Sequence, residues 1–409
     1  MTGAASPGEA MPSRRRTATI VILGLLVALG PFTIDLYLPA FPSVRRSFQV
    51  SDVAVQLTLS GTILGFAVGQ LLVGPWSDRV GRRVPLLVMA ALHVTSCLLA
   101  AVAPTVTVLA VLRVLQGAGA AGGGVVAQAT VRDLFAGRAL VKMLARMGLV
   151  SGAAPVVAPL IGSQLLRVLD WRGLFVSLAV YGAAALALAA ARIGETRPAS
   201  TRGSAGHDTI GRRYRAVLTD RVFVGAALLG GMQFSGLFAY LSTSSFLFQE
   251  VYGLTPQLFG LLFATNSVGI IVGSQLSARL MRRTGPQWVL VVTTAVQLLS
   301  GGTILLVGGA GAPLPAVLVP LWCFVAACGF AFPCVSVLGL AHHGEEAGTA
   351  ASLLGAVNFG FAGLLSPLVG LLGIASARPM GIVMTCTAAV AVAALWVLVR
   401  PRTVPPIGA

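Results

Sequence analysis

Apolar segments of membrane length follow one another along most of the chain, and short polar segments separate them. Apolar runs of about 18 residues or more are typical of transmembrane helices. Helices of this kind are predicted at residues 17–40, 53–73, 84–104, 106–128, 145–167, 173–193, 221–247, 257–277, 287–308, 314–339, 349–373 and 379–399. The pattern therefore predicts an all-α membrane protein with twelve transmembrane helices.

The polar segment at residues 194–220 is the one long hydrophilic connector, and it divides the helices into two sets of six. We predict an N-terminal half at 17–193, a cytoplasmic linker at 194–220 and a C-terminal half at 221–399. A disordered cytoplasmic N-terminus at 1–16 and a cytoplasmic tail at 400–409 complete the domain prediction. Two six-helix halves related by repetition form an established transporter layout, with the binding site between the halves near mid-membrane.

A weak internal repeat supports the division into halves. At an offset of 204 residues, Gly69 falls on Gly273, and each glycine lies near the end of the second helix of its half. The charge that follows differs between the halves, because Asp78 falls on Arg282 at the same offset. The repeat predicts that the two halves share one fold but not the same charges.

Composition and charge agree with a membrane protein. Of 409 residues, 56% are hydrophobic and 10% are charged, whereas soluble proteins carry about 25% charged residues. The net charge of +16 would favour nucleic-acid binding in a soluble protein. With a cytoplasmic N-terminus, however, most of the 28 Lys and Arg residues fall on the cytoplasmic side. This asymmetry follows the positive-inside rule, so we predict two cytoplasmic termini, contact with anionic membrane lipid and no nucleic-acid partner.

Motifs for enzymatic or metal chemistry are not found in the sequence. The five cysteines form no CxxC pair and have no metal-ligand spacing, and no Ser/His/Asp, HExxH or phosphate-loop constellation is present. We therefore predict that the protein is not an enzyme and binds neither a metal nor another cofactor. A proton gradient is the expected driving force.

Asp35 is the one acidic residue within a predicted helix, and it lies between Pro31 and Pro39. A carboxylate at membrane depth costs about 2.5–3.5 kcal/mol on insertion scales, so it is seldom found there without a partner or a function. We predict that Asp35 takes up and releases a proton during transport.

Arg113 is the one basic residue in the interior of a predicted helix. Asp35 and Arg113 each lie about seven residues, or about 10 Å, from the expected outer end of their helix. The matching depth fits either an ion pair or two walls of one polar cavity. A buried ion pair with a purely structural role is the alternative, although such pairs contribute little net stability.

Residues 74–83, Gly-Pro-Trp-Ser-Asp-Arg-Val-Gly-Arg-Arg, are predicted to form a loop between the second and third helices. The two glycines would allow a tight turn with close helix approach, and Asp78 would accept hydrogen bonds from a helix end and a basic side chain. The alternative is a solvated charged loop. The residues of this predicted conformational latch are Gly74, Asp78, Arg79, Gly81, Arg82 and Arg83.

Small residues and prolines line one face of the predicted fifth helix. Gly148, Gly152, Pro155, Pro159 and Gly162 are spaced by four and three residues in alternation, which places them on one stripe. The stripe would let another helix approach closely, and the two prolines would bend the axis and free backbone carbonyls. Ordinary small-residue packing accounts for the glycines but does not require two prolines.

Several of these segments resemble known transporter motifs. Residues 74–83 resemble the signature of the major facilitator superfamily between helices two and three. Residues 34–42, Ile-Asp-Leu-Tyr-Leu-Pro-Ala-Phe-Pro, resemble the D-M-Y-L-P-A-L-P segment of its Bcr/CflA (bicyclomycin/chloramphenicol resistance) group of drug:proton antiporters. Arg113 in Leu-Arg-Val-Leu-Gln-Gly resembles the helix-four arginine motif, and the stripe resembles the antiporter motif of helix five. The resemblance implies the major-facilitator fold, a bacterial inner membrane and a multidrug efflux transporter that exchanges protons for drugs.

The implied substrates are small amphipathic drugs of the chloramphenicol, florfenicol or bicyclomycin kind. Polar and aromatic positions on the helices that line the cleft in this fold would form the substrate cavity: Tyr37, Phe66, Gln70, Gln233, Phe234, Phe238, Tyr240, Asn266, Asn358 and Phe361. A mixed aromatic and amide lining suits such ligands. For most of these residues taken singly, a packing or lipid-facing role is the alternative.

Other functions remain open from the sequence. Some antiporters of this broad kind carry a second acidic residue about two turns before the first, but Leu26, Val27 and Ala28 are apolar here. The alternatives are a proton-coupled exporter or importer of an endogenous metabolite, and a membrane sensor that transports nothing. The predicted partners are a small-molecule substrate, protons and lipid, and the protein is expected to be a monomer.

Overall fold

The computed structural model describes residue 8 and residues 11–197, 215–341, 343 and 347–404. Much of the predicted linker at 194–220, most of the predicted N-terminal segment and residues 405–409 of the tail lie outside this range.

Long helices joined by short turns account for the secondary structure of the described residues. The α-helices are α1 (Ser13–Asp35), α2 (Phe41–Phe48), α3 (Asp52–Val80), α4 (Arg83–Ala101), α5 (Val106–Leu134), α6 (Gly137–Leu165), α7 (Trp171–Arg192), α8 (Arg221–Phe246), α9 (Pro256–Thr284), α10 (Pro286–Val307), α11 (Leu314–Leu340), α12 (Ala347–Leu365), α13 (Leu368–Leu371) and α14 (Arg378–Ala394). Short π-helical turns, Leu247–Val251 and Leu395–Val399, extend α8 and α14. Among these residues, 12 segments are long and apolar enough to cross a membrane, which confirms the predicted fold class.

Hydrogen-bonding side chains begin several of the spanning helices. The hydroxyl or carboxylate of the residue before each helix accepts a hydrogen bond from a backbone N–H of the first turn, which satisfies one of the unpaired donors there. The residues with this role are Ser51, Thr105, Asp170, Asp220 and Thr255. They set where the chain re-enters the bundle.

Two helix boundaries differ from the prediction. Helix α1 begins at Ser13, so the last part of the predicted disordered segment is helical. Helix α3 runs through to Val80, so Gly74 and the residues after it form the last two turns of a helix rather than a loop. The chain turns at Gly81, whose φ of +102° is a backbone conformation that favours glycine.

Equivalent close contacts in the two halves support the internal repeat. A Cβ atom at Gly69 would lie 2.6 Å from the Ala118 carbonyl oxygen, and one at Gly273 would lie 2.8 Å from the Ala326 carbonyl oxygen. The second and fourth spanning helices of each half therefore approach each other backbone to backbone, which only a residue without a side chain allows.

The helix ends lie at two faces of the bundle. We call the face near Ser13 and Gly81 the termini face, and the face near Asp52, Thr105 and Glu250 the far face. Hydrogen bonds join the two halves near the far face. They run from Gln56 Nε2 to the Ser242 carbonyl (3.1 Å), from Gln249 Nε2 to the Pro39 carbonyl (3.1 Å) and between the Ser60 and Ser366 hydroxyls (3.1 Å).

The predicted stripe on α6 is open at one end and packed at the other. Near the termini face, a Cβ atom at Gly148 or Gly152 would meet no described atom within 4 Å. Toward the far face, Gly162 lies directly against the Leu36 carbonyl. In this conformation hydrogen bonds therefore join the two halves at the far face, and the close contact at Gly162 lies within the N-terminal half.

Candidate functional site

Asp35 is the last residue of α1 and is 5% exposed. In the described part of the chain, its carboxylate makes no ion pair and no hydrogen bond. Tyr240 on α8 is close enough for the two side chains to interact electrostatically, and the Tyr240 hydroxyl accepts a hydrogen bond from Asn266 Nδ2 (2.9 Å). The predicted proton-binding residue therefore lies where the N-terminal half faces the C-terminal half.

Arg113 on α5 is fully buried. Its Nη1 atom donates to the Thr33 carbonyl (2.9 Å) and to Gln116 Oε1 (2.7 Å). The guanidinium also lies over the rings of Tyr37 and Phe175, at 4.7 and 5.6 Å from their centroids. Within the described residues, its Nε and Nη2 atoms have no hydrogen-bond partner.

Of the two arrangements that the matching depth allowed, a direct ion pair between Asp35 and Arg113 is not formed among the described residues. Arg113 instead contacts the last turn of α1, whose carbonyls have no partner within the helix and carry the negative end of its dipole. The accepting residue, Thr33, is two positions before Asp35, so Arg113 lies close to Asp35 in depth without bonding to its carboxylate. The second alternative from the sequence, two charges in one polar region, fits the structure better.

Sequence reasoning missed His93 on α4. Its ring is fully buried, and Nε2 lies 2.8 Å from the Thr33 hydroxyl. Gln116, which accepts from Arg113, donates in turn to Cys97 Sγ (2.9 Å), one helical turn after His93. A histidine inside an apolar membrane segment is a signal that could have identified this position, because ionisable residues are rare there.

Tyr37 does not lie where the sequence placed it. The prediction assigned it to the substrate cavity, but the side chain is fully buried inside the N-terminal half. Its hydroxyl lies 3.2 Å from the Thr58 hydroxyl, and its ring lies against Phe41 and under Arg113. Leu36 and Tyr37 keep helical backbone angles, and a 3-10 turn follows at Leu38–Ala40.

An aromatic cluster connects the two halves. Phe66 of α3 contacts Phe359 of α12, with ring centroids 5.2 Å apart. Phe359 also contacts Phe234 (5.3 Å) and Phe238 (6.3 Å), and Phe234 packs on Phe332 at 4.6 Å. Three of these residues were predicted cavity positions, whereas Phe332 and Phe359 were missed.

Phe361 packs inside the C-terminal half. A Cβ atom at Gly231 would lie 2.7 Å from its ring. Phe359 and Phe361 are two residues apart on a helix and therefore point in different directions. The prediction chose the aromatic residue on the wrong side of α12.

Buried amides lie near the aromatic cluster in the C-terminal half. Gln233 Nε2 donates to Gln297 Oε1 (3.2 Å), and Gln297 Nε2 donates to Cys328 Sγ (3.1 Å). The amide oxygens of Gln233 and Asn358 have no hydrogen-bond partner among the described atoms. Gln70, from the other half, places its amide oxygen against Gly355 of α12.

Arg82, in the predicted latch, is enclosed by carboxylates. Its side chain contacts Asp78 (2.8 Å) and Asp133 (2.9 Å), and its backbone N–H donates to Glu195 (2.8 Å). Burial opposes the charge, but Asp133 and Asp78 together raise the pKa of Arg82. Asp78 also contacts Arg197 (2.9 Å).

The latch residues differ in what they contact. Glu195 lies against Gly81, whose turn brings the backbone N–H of Arg83 within 3.2 Å of the same carboxylate. Gly74 is helical, and a Cβ atom there would make an ordinary 3.8 Å contact with Val125, so the predicted turn at this glycine is wrong. Arg79 is exposed. The contacts seen for this cluster in the described residues stay within the N-terminal half and the segment after α7.

The prolines of α6 contact the C-terminal half. Pro159 lacks the N–H that would bond to the Pro155 carbonyl, and that carbonyl accepts a hydrogen bond from Ser267 of α9 (3.1 Å). A Cβ atom at Gly260 of α9 would lie 3.1 Å from the Pro159 carbonyl. The predicted freeing of a backbone carbonyl therefore has a visible result, a hydrogen bond between the halves.

An ion cluster on the far face also crosses between the halves. Arg45 of α2 bonds to Asp52 through Nη1 (2.9 Å) and to Glu250 through Nη2 (2.9 Å). Arg46 approaches Glu250 at 3.7 Å. Glu250 belongs to the π-helical turn after α8, so one arginine holds a carboxylate from each half.

Known proteins match this chain over most of its length. It is 34% identical to an uncharacterized MFS-type transporter, YdgK, of Bacillus subtilis, over 95% of this chain and 97% of the relative. It is 31% identical to the bicyclomycin resistance protein homolog of Haemophilus influenzae, over 93% and 95% of the two chains. It is 29% identical to multidrug resistance protein D of Escherichia coli, over 92% and 94%.

Solved structures share the fold. The D-xylose-proton symporter superposes with a TM-score of 0.75 at 16% identity, over 96% of this chain and 98% of that one, and this likeness concerns the fold alone. The Major Facilitator Superfamily profile matches residues 21–367, and since that superfamily consists of transporters, the prediction that the chain is not an enzyme is confirmed. Its sequence, the twelve membrane-length segments among its described residues and its two-half architecture make the chain a member of the Major Facilitator Superfamily.

Proposed function

We propose that this chain is an inner-membrane multidrug efflux transporter that exchanges protons for small amphipathic drugs by alternating access. The observation that carries the proposal is Asp35, a buried carboxylate without an ionic partner in the described residues, at the boundary between the halves. Two relatives are named for bicyclomycin or multidrug resistance, which supports a drug as the substrate.

The proposed orientation places the termini face in the cytoplasm, because most of the basic residues lie there. The structure then corresponds to a state closed to the outside. In the opposite state, Asp35 takes up a proton from outside, and the neutral side chain favours the return to the inward state. Drug binding there displaces the proton to the cytoplasm.

Arg113 has the chemistry to respond to the charge of Asp35. Two of its nitrogen atoms lack acceptors in the described structure, and buried donors without partners are costly. When Asp35 loses its proton, its carboxylate can supply those acceptors after a small rotation of the last turn of α1. Thr33 then loses its donor, so the protonation state of Asp35 selects between two arrangements of α1.

The aromatic cluster and the unpaired amide oxygens suit an uncharged amphipathic ligand. The apolar part of the ligand packs among the rings of Phe66, Phe234 and Phe359, where aromatic contacts add to the effect of burial. Hydroxyl or amide groups on the ligand offer donors to oxygens such as those of Gln233 and Asn358.

Susceptibility tests with Asp35→Asn test this proposal. In a host without its own efflux pumps, the wild type is expected to confer resistance to at least one compound among chloramphenicol-like, bicyclomycin-like, sulfonamide and lipophilic-dye compounds. Asp35→Asn removes the titrating group at nearly constant size and should reduce resistance to that of the empty host. Asp35→Glu, which keeps a carboxylate, is the matched control and should retain part of the activity.

Proton release on adding a transported drug to the purified protein distinguishes antiport from symport. Uphill export by Asp35→Asn would overturn the role of Asp35 in coupling. No resistance to any compound, together with intact proton-driven transport of another solute, would replace the drug by an endogenous metabolite.

A further inference from the structure

A chain of buried polar side chains joins α1, α4 and α5 beside the coupling site. His93 bonds to the Thr33 hydroxyl (2.8 Å), and Arg113 bonds to the carbonyl of the same residue (2.9 Å). Thr33 is fully buried, as are His93 and Arg113. One residue of α1, two positions before Asp35, is thus held through its side chain by α4 and through its backbone by α5.

The C-terminal half has a related contact at the equivalent place. Gln297 of α10 follows His93 by the offset that relates Gly69 to Gly273. It accepts from Gln233 of α8, the first spanning helix of that half, and donates to a cysteine sulfur. In both halves a polar side chain on the third spanning helix therefore tethers the first. The tether is an imidazole in one half and an uncharged amide in the other.

Among the described residues, one charged side chain interacts with His93. Helix α4 packs against α5 and α7. From α5 the guanidinium of Arg113 interacts electrostatically with the ring, and from α7 Gly182 lies against it. Cys97, one turn along α4, is the titratable neighbour, with its sulfur 3.8 Å from the ring. Among the described residues no carboxylate bonds to the ring.

We propose that His93 is a positioning residue for proton coupling, which fixes the last turn of α1 through Thr33 so that the Asp35 carboxylate stays apart from Arg113. The inference rests on the proposed role of Asp35. The imidazole acts here through its hydrogen bond and not by carrying the proton. Gln297 shows that an amide can provide an equivalent tether within the same fold.

The pH dependence of drug-driven proton exchange tests the inference. His93→Leu removes the tether, which lets Arg113 approach Asp35 and stabilise its charged form. We expect the pH of half-maximal exchange to move to a more acidic value by about 0.5 units or more, with a transport rate about tenfold lower. His93→Gln keeps a hydrogen-bonding group that does not titrate and should retain the wild-type midpoint.

Thr33→Val breaks the same hydrogen bond from the other side and keeps the carbonyl that binds Arg113. It should reproduce the shift caused by His93→Leu, and the double variant should add nothing further, because both changes remove one interaction. The Thr33→Val result keeps the test decisive if His93→Leu does not fold. Gln297→Leu, the equivalent change in the C-terminal half, should leave the pH midpoint where it is.

The outcomes separate this inference from the proposed function. A wild-type midpoint in both Thr33→Val and His93→Leu would overturn the positioning role while Asp35→Asn still abolished exchange. A His93→Gln variant with the defect of His93→Leu would also overturn it, because the imidazole itself would then be needed. Exchange that survived in Asp35→Asn would instead overturn the proposed function.

Discussion

The two halves of this transporter use the same scaffold with different chemistry. Both halves bring the second and fourth spanning helices together at matching glycines, Gly69 and Gly273. The N-terminal half buries a carboxylate and a guanidinium, Asp35 and Arg113, whereas the equivalent interior of the C-terminal half holds amides such as Gln233. The two halves share this backbone packing, while the buried aspartate and arginine lie in the N-terminal half alone among the described residues.

This difference suggests a division of tasks. Charged groups in the membrane are costly and are retained where they move ions or protons, which fits proton coupling in the N-terminal half. Amides and aromatic rings provide hydrogen bonds and apolar contact without titrating, which fits drug binding in the C-terminal half. In the proposed function, the coupling region and the drug-binding region adjoin at the boundary between the halves, where Asp35 lies.

Among the changes that test the difference between the halves, replacing Arg113 should have the largest effect on stability and transport. Arg113→Leu leaves the Thr33 carbonyl and Gln116 without a donor, at a cost of about 1–3 kcal/mol in the free energy of unfolding. Transport should lose its dependence on a pH gradient. Gln297→Leu removes a neutral tether at the corresponding level and should keep that dependence. Thermal unfolding in detergent and transport after a pH jump measure the two effects, and equal loss of coupling in both variants would contradict the division.

A change in the aromatic and amide region should weaken drug binding and leave coupling intact. Phe359→Ala removes the ring that connects Phe66 with Phe234 and Phe238. Loss of such ring contacts costs about 1 kcal/mol beyond burial, so we expect the Kd for a transported drug to rise about fivefold or more. Phe359→Leu is the size-matched apolar control. Calorimetric titration measures the Kd, and an altered pH midpoint in Phe359→Ala would count against the separation of tasks.

The far-face ion cluster should have a smaller effect, on the balance between conformations. Glu250→Gln removes the carboxylate that Arg45 holds across the halves. Partly exposed ion pairs contribute about 0.2–1 kcal/mol, so the outward-open population should rise by about fivefold at most. Distances between spin labels on the two halves report this population. Arg46→Gln breaks only the 3.7 Å contact with Glu250 and should shift the outward-open population less. A larger shift in Arg46→Gln would show that Arg46, and not Arg45, makes the contact that holds the halves together there.

The smallest effect is expected at the Arg82 cluster, whose contribution to thermal stability should not change with pH near neutrality. Because Asp133 and Asp78 raise the pKa of Arg82, its stabilising charge is fully present below the unfolded-state pKa and is lost only as the pH rises through the higher folded-state value. Raising the pH from about 6 to about 9 stays below both values. The difference in thermal stability between wild type and Arg82→Gln should therefore stay constant over this interval. A difference that falls with rising pH would show that Arg82 loses its proton in this range.

Hydrophobic patterning alone predicted much of the fold. Twelve apolar segments were enough to identify twelve spanning helices, because no other regular structure satisfies the backbone within a membrane segment of this length. The predicted helix boundaries at the termini face were less accurate than the number of helices. Polar residues such as Ser77 and Asp78 suggested a loop, but they continue α3 to Val80 because a helix can extend into water beyond its apolar part.

The predicted site was accurate in depth and less accurate in direction. Counting residues placed Asp35 and Arg113 at the same level, because each helical residue rises by about 1.5 Å. The rotation of the helical segment after Asp35 decided that Tyr37 points into its own half, and the rotation of α12 decided that Phe359, not Phe361, joins the cluster. Neither rotation can be derived from apolar runs with nearly uniform hydrophobicity, since such helices present no single polar face.

The amino-acid sequence determined the number of spanning helices, their division into two halves and the presence of one carboxylate and one guanidinium at the same membrane depth. These properties depend on local composition and on the fixed rise of a helix. The tertiary structure decided the surroundings of those charges: the Thr33 carbonyl accepts a hydrogen bond from Arg113, while Asp35 makes no ion pair or hydrogen bond among the described residues. Partners are set by how helices rotate and approach one another, which depends on contacts between residues far apart in the sequence.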